Sequence, residues 1–341
     1  VLNMPPELTK DQMIVGIDFK PGNTAVVHHS DYFIDYSGKA RAEKSPDGKP
    51  GFEVEGTGGF FEYNSEGGFL GAWAPGSDPF SLPDGIGMEL PGGGDLVLEI
   101  HYTPSGKVER DKSQIAFYFA KKPVKQTIGG IFMGTQDVDI PAGAKDYWRH
   151  VWMDIPVGIK ILDIGPHMHY VGKESHVTAE LPDGSVKKLL SISDWDLDWQ
   201  TGYKYKKLVH LPAGSRLHMR CRFDNSDDNT DNPHYPAQRI KWGWGTEEEM
   251  CELYVTLLFD EPTAKNKAAL ASAEWNSWVR SADPEATKIS AGNPDISELE
   301  EPIVPLSAWE PEGEKLFNAI SGSPAVMKLI ERLRERTKKN R

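Results

Sequence analysis

The feature that most constrains the fold is the regular interruption of short apolar segments by turn-forming residues between Met13 and Pro262. These turns include Pro21-Gly22-Asn23, Pro182-Asp183-Gly184 and Pro212-Ala213-Gly214. Short apolar segments separated by turn signals predict an all-β sandwich or barrel. A β region of this length can form one domain or two.

The candidate strands lie in seven segments: 12–19, 95–103, 114–119, 160–168, 176–181, 216–223 and 250–259. The polar, Lys-rich stretch 121–126 is the preferred boundary, because it separates the first three histidines from a later His-x-His pair and a methionine. We therefore predict two β domains, 1–124 and 125–262.

A helical C-terminal extension is predicted over 263–341. The stretch 263–280 is rich in Ala and indicates a helix, while 281–311 is rich in Pro, Asp and Glu, as in a connector. Ser323-Pro324 resembles a helix start, and apolar residues follow at helical spacing.

Charge and length exclude some partners. The chain has 341 residues and a formal net charge of -13, which argues against nucleic acid, because phosphate binding needs clustered Lys and Arg. No run approaches the ~20 apolar residues that span a bilayer. The amino end has neither an initiator Met nor a signal-peptide pattern, so we expect Val1 to follow a removed segment. The sequence makes no prediction of oligomeric state.

Only two cysteines occur, Cys221 and Cys251. This number excludes a disulfide-dense scaffold and leaves two alternatives, one bridge or a reduced buried pair. A bridge would indicate an oxidising compartment, so we expect a periplasmic or secreted protein.

Two histidines in His167-Met168-His169 are two residues apart, so on a strand both project from one face and can chelate one ion. The alternative is a polar pair on a solvated face. Met250 enters a predicted strand on which Glu252 and Tyr254 share its face. An isolated Met usually fills a core, but a carboxylate and a phenol beside it favour a polar pocket.

The adjacent pair His28-His29 needs a different backbone, because neighbours on a regular strand point to opposite faces. Either the strand bulges and both imidazoles bind one ion, or only one is a ligand. His101 lies in an apolar strand, where a hydrogen-bonded core histidine is the alternative to a ligand. Trp195 and Trp199 are expected in the core, with the wall of a cleft as the alternative.

Several ordered fragments between about residues 10 and 260 resemble the type II, ascorbate-dependent copper monooxygenases, the family of peptidylglycine alpha-hydroxylating and dopamine beta-monooxygenases, and most closely its uncharacterised bacterial members. The fragments are Pro21-Gly22-Asn23, Val26-Val27-His28-His29, Gly71-Ala72-Trp73-Ala74-Pro75-Gly76, Leu98-Glu99-Ile100-His101-Tyr102-Thr103, Pro166-His167-Met168-His169, Asp198-Trp199-Gln200, Asp224-Asn225-Ser226, Asn232-Pro233 and Glu249-Met250-Cys251. The resemblance implies two antiparallel, jelly-roll-like β-sandwich domains, each with one copper, facing each other across a solvent-filled cleft.

The resemblance also implies roles for the ligand residues. A first, electron-donating copper would be held by His28, His29 and His101. A second copper would be held by His167, His169 and Met250. At the second copper O2 would bind and a substrate C–H bond would be hydroxylated. Ascorbate or a similar reductant would reduce both ions, and one oxygen atom would leave as water. Cys221 and Cys251 match a bridged pair of the animal enzymes.

The residues expected to contact substrate depart from the family pattern. The peptide-amidating members hold a substrate carboxylate with an Arg, an Asn and a Tyr, where this chain has Gly165, Glu252 and Tyr254. Replacing a guanidinium and adding a carboxylate disfavours an anionic substrate. We therefore predict a neutral or cationic small molecule.

Two other function classes fit parts of the sequence. One is a non-catalytic copper carrier or sensor on the same fold. The other is an adhesion or carbohydrate-binding β-sandwich with incidental histidines. The presence of all six ligands favours the enzyme, because a carrier needs only one site.

Overall fold

The computed structural model describes residues 10–36, 38–42, 51–52, 68–77 and 79–281. Within these ranges the chain is mainly β, as the sequence predicts. The N-terminal β region consists of β1 (Gln12–Lys20), β2 (Val27–Asp35), α1 (Lys39–Ala42), β3 (Gly68–Trp73), β4 (Phe80–Ser81), β5 (Ile86–Leu90), β6 (Asp95–Tyr102), β7 (Gln114–Phe119) and β8 (Gln126–Thr127). The C-terminal β region consists of β9 (Gly129–Gly134), β10 (Asp139–Ile140), β11 (Ala144–Ile155), β12 (Ile159–His167), β13 (Gly172–Glu180), β14 (Val186–Ile192), β15 (Tyr203–Leu211), β16 (Ser215–Asn225), β17 (Ile240–Lys241) and β18 (Glu252–Phe259), followed by helix α2 (Ala264–Ser281).

The N-terminal β region has two main sheets. One has the order β4-β1-β5-β8, with β7 also paired to β1, and the other has the order β3-β2-β6. Strand β7 shows why they pack: exposed and partly buried residues alternate along it, and Ile115, Phe117 and Phe119 lie against the core. That core contains Ile17, Tyr32 and further apolar residues of both sheets. The period of two therefore gives each sheet one apolar face.

The C-terminal β region has two four-stranded sheets, β11-β16-β13-β14 and β15-β12-β18-β9, and a short β10–β17 pair. Alternate residues of β16 enter the core, among them Leu217, Met219 and Phe223. The residues between them, including His218 and Arg220, lie on the opposite face. Both sheets contribute to one core, which is separate from the core of the N-terminal β region.

Helix α2 packs along β9 and β11, which are edge strands of the two sheets. Leu270 enters the core, Trp278 donates its Nε1–H to the carbonyl of Phe132 at 2.9 Å, and Ser277 Oγ donates to the carbonyl of Trp152 at 2.7 Å. The helix predicted over 263–280 is therefore confirmed, and it covers one open edge of the sandwich. The connector and second helix predicted after it lie outside the described residues.

None of the helices in the described ranges combines the length and the apolar character needed to cross a bilayer.

Candidate metal sites

The second predicted ligand set (His167, His169 and Met250), which we call the second cluster, begins at the end of β12. His167 is the last residue of this strand and His169 lies in the loop that follows, so the prediction that both histidines lie on the strand is wrong. The two Nε2 atoms nevertheless lie 3.1 Å apart. His167 Nδ1 faces Gln200 Oε1 at 2.5 Å, and His169 Nδ1 faces the carbonyl oxygen of Glu248 at 3.2 Å. Because oxygen acceptors fix the proton on each Nδ1, the lone pairs of both Nε2 atoms converge on one point.

This convergence fits a metal ion. Burial lowers the pKa of His167 to about 4 and that of His169 to about 3, so both imidazoles are neutral at pH 7. Two lone pairs facing each other at 3.1 Å repel unless a cation lies between them. Metal–nitrogen bonds of about 2.0–2.1 Å place two ligand nitrogens roughly 3 Å apart, as observed here.

A buried carboxylate, Glu249, holds the ligand segments of the second cluster together. It is fully buried and accepts four backbone N–H bonds of 2.8–3.1 Å. The donors are the amides of His169 and Met250 to Oε2, and of Val171 and Gly172 to Oε1. This interaction, which we call the Glu249 clamp, joins the His169 loop to Met250. Sequence reasoning missed it, because Glu249 looks like the exposed acids that precede it.

Met250 is buried, but it precedes β18 and is not part of that strand. The next residue, Cys251, forms a disulfide with Cys221 of β16, with the two Cα atoms 6.0 Å apart. The bridged alternative is therefore confirmed and the reduced pair is wrong. The bridge ties the Met250 segment to the opposite sheet.

The first predicted ligand set (His28, His29 and His101), which we call the first cluster, lies on β2 and β6. In this strand pair His29 pairs directly with His101. Their rings stack with centroids 4.0 Å apart. The register shifts between Val27 and His29, and His28 Nδ1 comes within 2.8 Å of His29 Nδ1. The strand therefore bulges at His28, and the structure brings the three predicted histidines together.

Two carboxylates that sequence reasoning missed lie in the first cluster. Asp31 and Glu99 pair with each other across β2 and β6, two residues from His29 and His101 respectively. The ligand atoms of His29, Asp31 and His101 all lie within 4.8 Å of one another, and Glu99 Oε1 lies 3.2 Å from His101 Nε2. Their spacing of two residues from each histidine could have indicated that they share a face of the sheet with it.

Charges in the first cluster act in opposite directions on its two central histidines. Burial, together with the neighbouring imidazoles, lowers the pKa of His29 to about 2. Burial also acts to lower the pKa of His101, but the contact with Glu99 and the charges of Asp31 and Glu99 raise it overall. Burial, reinforced by the charge of Glu99 and opposed by His101, raises the pKa of Asp31 to about 7.

The two clusters face each other, and one loop contacts both. In this loop Asp198 Oδ1 lies 3.5 Å from His28 Nε2, while Gln200 contacts His167. Each cluster affects the other electrostatically, since the charge of His167 lowers the pKa of His29. Trp199 is 59% exposed, so its predicted core position is wrong.

The predicted substrate residues lie beside His167 on sheet β15-β12-β18-β9. Gly165 pairs with Tyr254, and His167 pairs with Glu252. Burial, with the charge of Asp31, raises the pKa of Glu252 to about 8. Tyr254 packs against Phe132 of β9, with ring centroids 4.6 Å apart.

Tyr254 also contacts the N-terminal β region. Its ring lies 5.5 Å from the ring of Phe69 on β3. Tyr254 is therefore positioned where the two β regions meet.

A third histidine pair lies away from both clusters. His150 Nε2 and His218 Nδ1 are 3.0 Å apart on the outer face of the β11–β16 sheet, and both residues are buried. Burial and the charges of Arg216 and Arg220 lower the pKa of His218 to about 3. These flanking cations disfavour a metal ion, so we assign this pair a structural role.

Comparison with known proteins finds a family model that matches most of the C-terminal β region. Residues 148–276 match the family model described as copper type II ascorbate-dependent monooxygenase, C-terminal domain. No curated protein matches the chain.

Among solved structures, the chain aligns with one of infectious bursal disease virus, Gx strain, at 9% identity and a TM-score of 0.20. The alignment covers 74% of this chain and 56% of the viral chain, and at this TM-score it supports no conclusion. The match over 148–276 confirms the resemblance found in the sequence for this segment, which is similar to the C-terminal domain of the copper type II ascorbate-dependent monooxygenases.

Proposed function

We propose that the protein is a copper-dependent monooxygenase that hydroxylates a C–H bond of a small organic substrate, using O2 and an ascorbate-like reductant. His28, His29 and His101 would hold the first copper, and His167, His169 and Met250 would hold the second. When bound, copper would supply one-electron redox chemistry and O2 activation. Two electrons from the reductant, together with two protons, balance the insertion of one oxygen atom and the release of the other as water.

The observation that carries this proposal is the geometry of His167 and His169. Their Nε2 atoms converge at 3.1 Å while oxygen acceptors hold both Nδ1 protons. The pair also lies within the matched segment 148–276. A neutral imidazole pair suits copper in either oxidation state, and a thioether from Met250 would favour Cu(I).

The residues around the second cluster have positioning roles in this proposal. The Glu249 clamp fixes the backbone of His169 and Met250, and Gln200 fixes the ring of His167. Such supporting contacts set ligand orientation and basicity. They leave the Nε2 lone pairs free to bind the ion.

Glu252 and Tyr254 would contact the substrate, next to His167. Glu252 is buried on the same face, and the charge of Asp31 acts on it from the N-terminal β region. A substrate carboxylate placed there would be disfavoured by the same burial and neighbouring charge that raise the pKa of Glu252. We therefore propose a neutral or cationic substrate, and we expect glycine-extended peptides to react poorly in comparison with amines.

The test is copper content and reductant-dependent O2 uptake of the wild type beside His101→Ala and Met250→Ile. Each variant should lose copper from one site, and both should lose O2 uptake. Met133→Ile is the matched control, because Met133 is a fully buried core methionine outside both clusters. Normal copper content and O2 uptake in both cluster variants would overturn the ligand assignment.

The same measurements distinguish the enzyme from a carrier. A wild type that binds copper but consumes no O2 with ascorbate and candidate substrates would indicate a carrier or sensor. Product analysis with ¹⁸O2 completes the test, since a monooxygenase incorporates one labelled atom.

A further inference from the structure

The first cluster offers a donor set that differs from three imidazoles. His29 and Asp31 are two residues apart on β2 and therefore project from one face. His101 lies directly opposite His29 on β6. Regular strand geometry thus places two imidazoles and one carboxylate together, with their ligand atoms within 4.8 Å of one another. His28 joins them only through the bulge.

The surroundings of Asp31 are suited to a cation. Among the described residues, no lysine or arginine forms an ion pair with Asp31. The charges of Glu99 and Asp31 act on each other, and Asp31 also acts on Glu252 across the junction of the β regions. Asp31 and Glu99 lie directly opposite each other on β2 and β6, and two carboxyl groups at this spacing favour a positive charge beside them.

Glu99 has a different position from Asp31. Its Oε1 lies 3.2 Å from Nε2 of His101. A carboxylate on one ring nitrogen orients an imidazole and leaves the other nitrogen for a metal. Glu99 is therefore an orienting residue, whereas Asp31 reaches the ligand atoms of both His29 and His101.

We propose that Asp31 is a fourth donor of the first copper site, which makes this site a mixed nitrogen–oxygen site that favours Cu(II). The inference rests on the proposed function, because it assumes that the first cluster binds copper. Oxygen donors are harder than imidazole or thioether, and a carboxylate adds one negative charge to the donor set. A site with these donors gives up an electron readily. Met250 would favour the reduced ion at the second site, so electron flow from the first site to the second becomes favourable.

The test uses the full-length apoprotein and copper alone, in a His167→Ala/His169→Ala background that leaves only the first site. Cu(II) and Cu(I) affinities are measured by chelator competition for the background protein and for its Asp31→Asn and Glu99→Gln variants. Asp31→Asn should weaken Cu(II) binding at least about tenfold more than Cu(I) binding. It should also change the Cu(II) electron paramagnetic resonance spectrum, because a charged carboxylate donor is replaced by a neutral amide.

Glu99→Gln is the matched control, since it removes the same charge from the paired position on the neighbouring strand. It should change the ratio of the two affinities less than Asp31→Asn does, and it should keep the donor pattern of the spectrum. Equal shifts in both variants, with the spectrum unchanged in Asp31→Asn, would mean that Asp31 acts only as a charge and would overturn the proposal.

Thermal unfolding of the apoproteins gives a second test. Asp31→Asn apoprotein should be at least as stable as its parent, because the change relieves repulsion among carboxylates. A less stable apoprotein would contradict the idea that Asp31 is arranged for a cation. If the first site of the parent binds no copper at all, the two-site function fails, and this outcome is distinct from failure of the Asp31 assignment alone.

Discussion

The two histidine clusters are built in different ways from similar ligands. The first depends on strand register, because β2 and β6 place His29 opposite His101 and a bulge brings in His28. The second depends on loops, because His169 and Met250 lie outside the strands and are joined by the Glu249 clamp. The pairing of β2 with β6 is therefore sufficient to position the first cluster, whereas the second needs additional supporting residues.

The clusters also differ in where negative charge lies. In the first cluster Asp31 and Glu99 contact or approach the imidazoles themselves. In the second, Glu249 is directed at backbone N–H groups, and the two Nδ1 atoms face neutral carbonyl oxygens. We therefore expect the first cluster to respond to changes of charge and the second to changes of backbone support.

The largest effect is expected from Glu249→Gln. The amide accepts fewer N–H bonds and brings its own NH2 against backbone donors, so buried donors lose their partners. We expect unfolding free energy to fall by about 3–5 kcal/mol and second-site copper affinity by roughly 10–100-fold. Denaturant titration and Cu(I) competition measure both quantities, and Glu248→Gln is the exposed neighbouring control. Unchanged second-site copper affinity would contradict the idea that the second cluster depends on backbone support.

The next largest effect is expected from His218, which should make the stability of the protein depend on pH without any contribution from metal binding. His218 lies outside both clusters, and its pKa is lowered to about 3 in the folded protein. Below pH 6.5 the unfolded chain binds more protons than the folded chain, so stability is complete above pH 6.5 and decreases towards pH 3.

His218 should contribute a loss of about 2 kcal/mol between pH 7 and pH 5, since each pH unit below 6.5 costs about 1.4 kcal/mol. His218→Gln should flatten this dependence, as measured by denaturant titration of the apoprotein at several pH values. The same slope in variant and wild type would rule out His218 as a source of acid sensitivity.

A smaller effect is expected from Gln200→Leu. Loss of the oxygen that faces His167 Nδ1 leaves the ring free to rotate and to change tautomer. We expect second-site copper affinity to fall about tenfold, with the first site unaffected. Competition titration of the two sites tests this, and an equal loss at both sites would show that the loop acts on the whole junction.

The smallest effect is expected from Phe69→Leu. The ring of Phe69 contacts Tyr254 across the two β regions. Loss of such a contact costs about 0.5–1.5 kcal/mol, so we expect substrate KM to rise by severalfold while copper content stays normal. Lost copper in this variant would show that the junction also supports the metal sites.

The sequence predicts the β class and several of the strands, because a strand shows a period of two. β7 was predicted with its observed limits, and β6 to within one residue. The grouping of His28, His29 and His101 was predicted from the family resemblance, whereas the sequence left the bulge at His28 as one of two alternatives.

Other parts of the site could not be predicted, because they depend on contacts distant in sequence. Glu249 is the last of three consecutive glutamates, and only the folded structure shows that it alone receives the amides of the His169 loop. Trp199 was expected in the core, but its loop is instead positioned by Asp198 and Gln200 against the two clusters. Asp31 had the right spacing from His29, but its approach to His101 requires the pairing of β2 with β6.

The disulfide has a consequence for the order of maturation. Cys251 is bonded to Cys221 and is one peptide bond from Met250. A newly made chain with free thiols would lack the covalent tie that anchors the Met250 segment, so, if the second cluster binds copper as proposed, we expect oxidative folding to precede its loading. Copper supplied before thiol oxidation would instead meet two competing sulfur ligands beside an unfinished site. The position of this one disulfide bond therefore sets the expected order of thiol oxidation and metal binding.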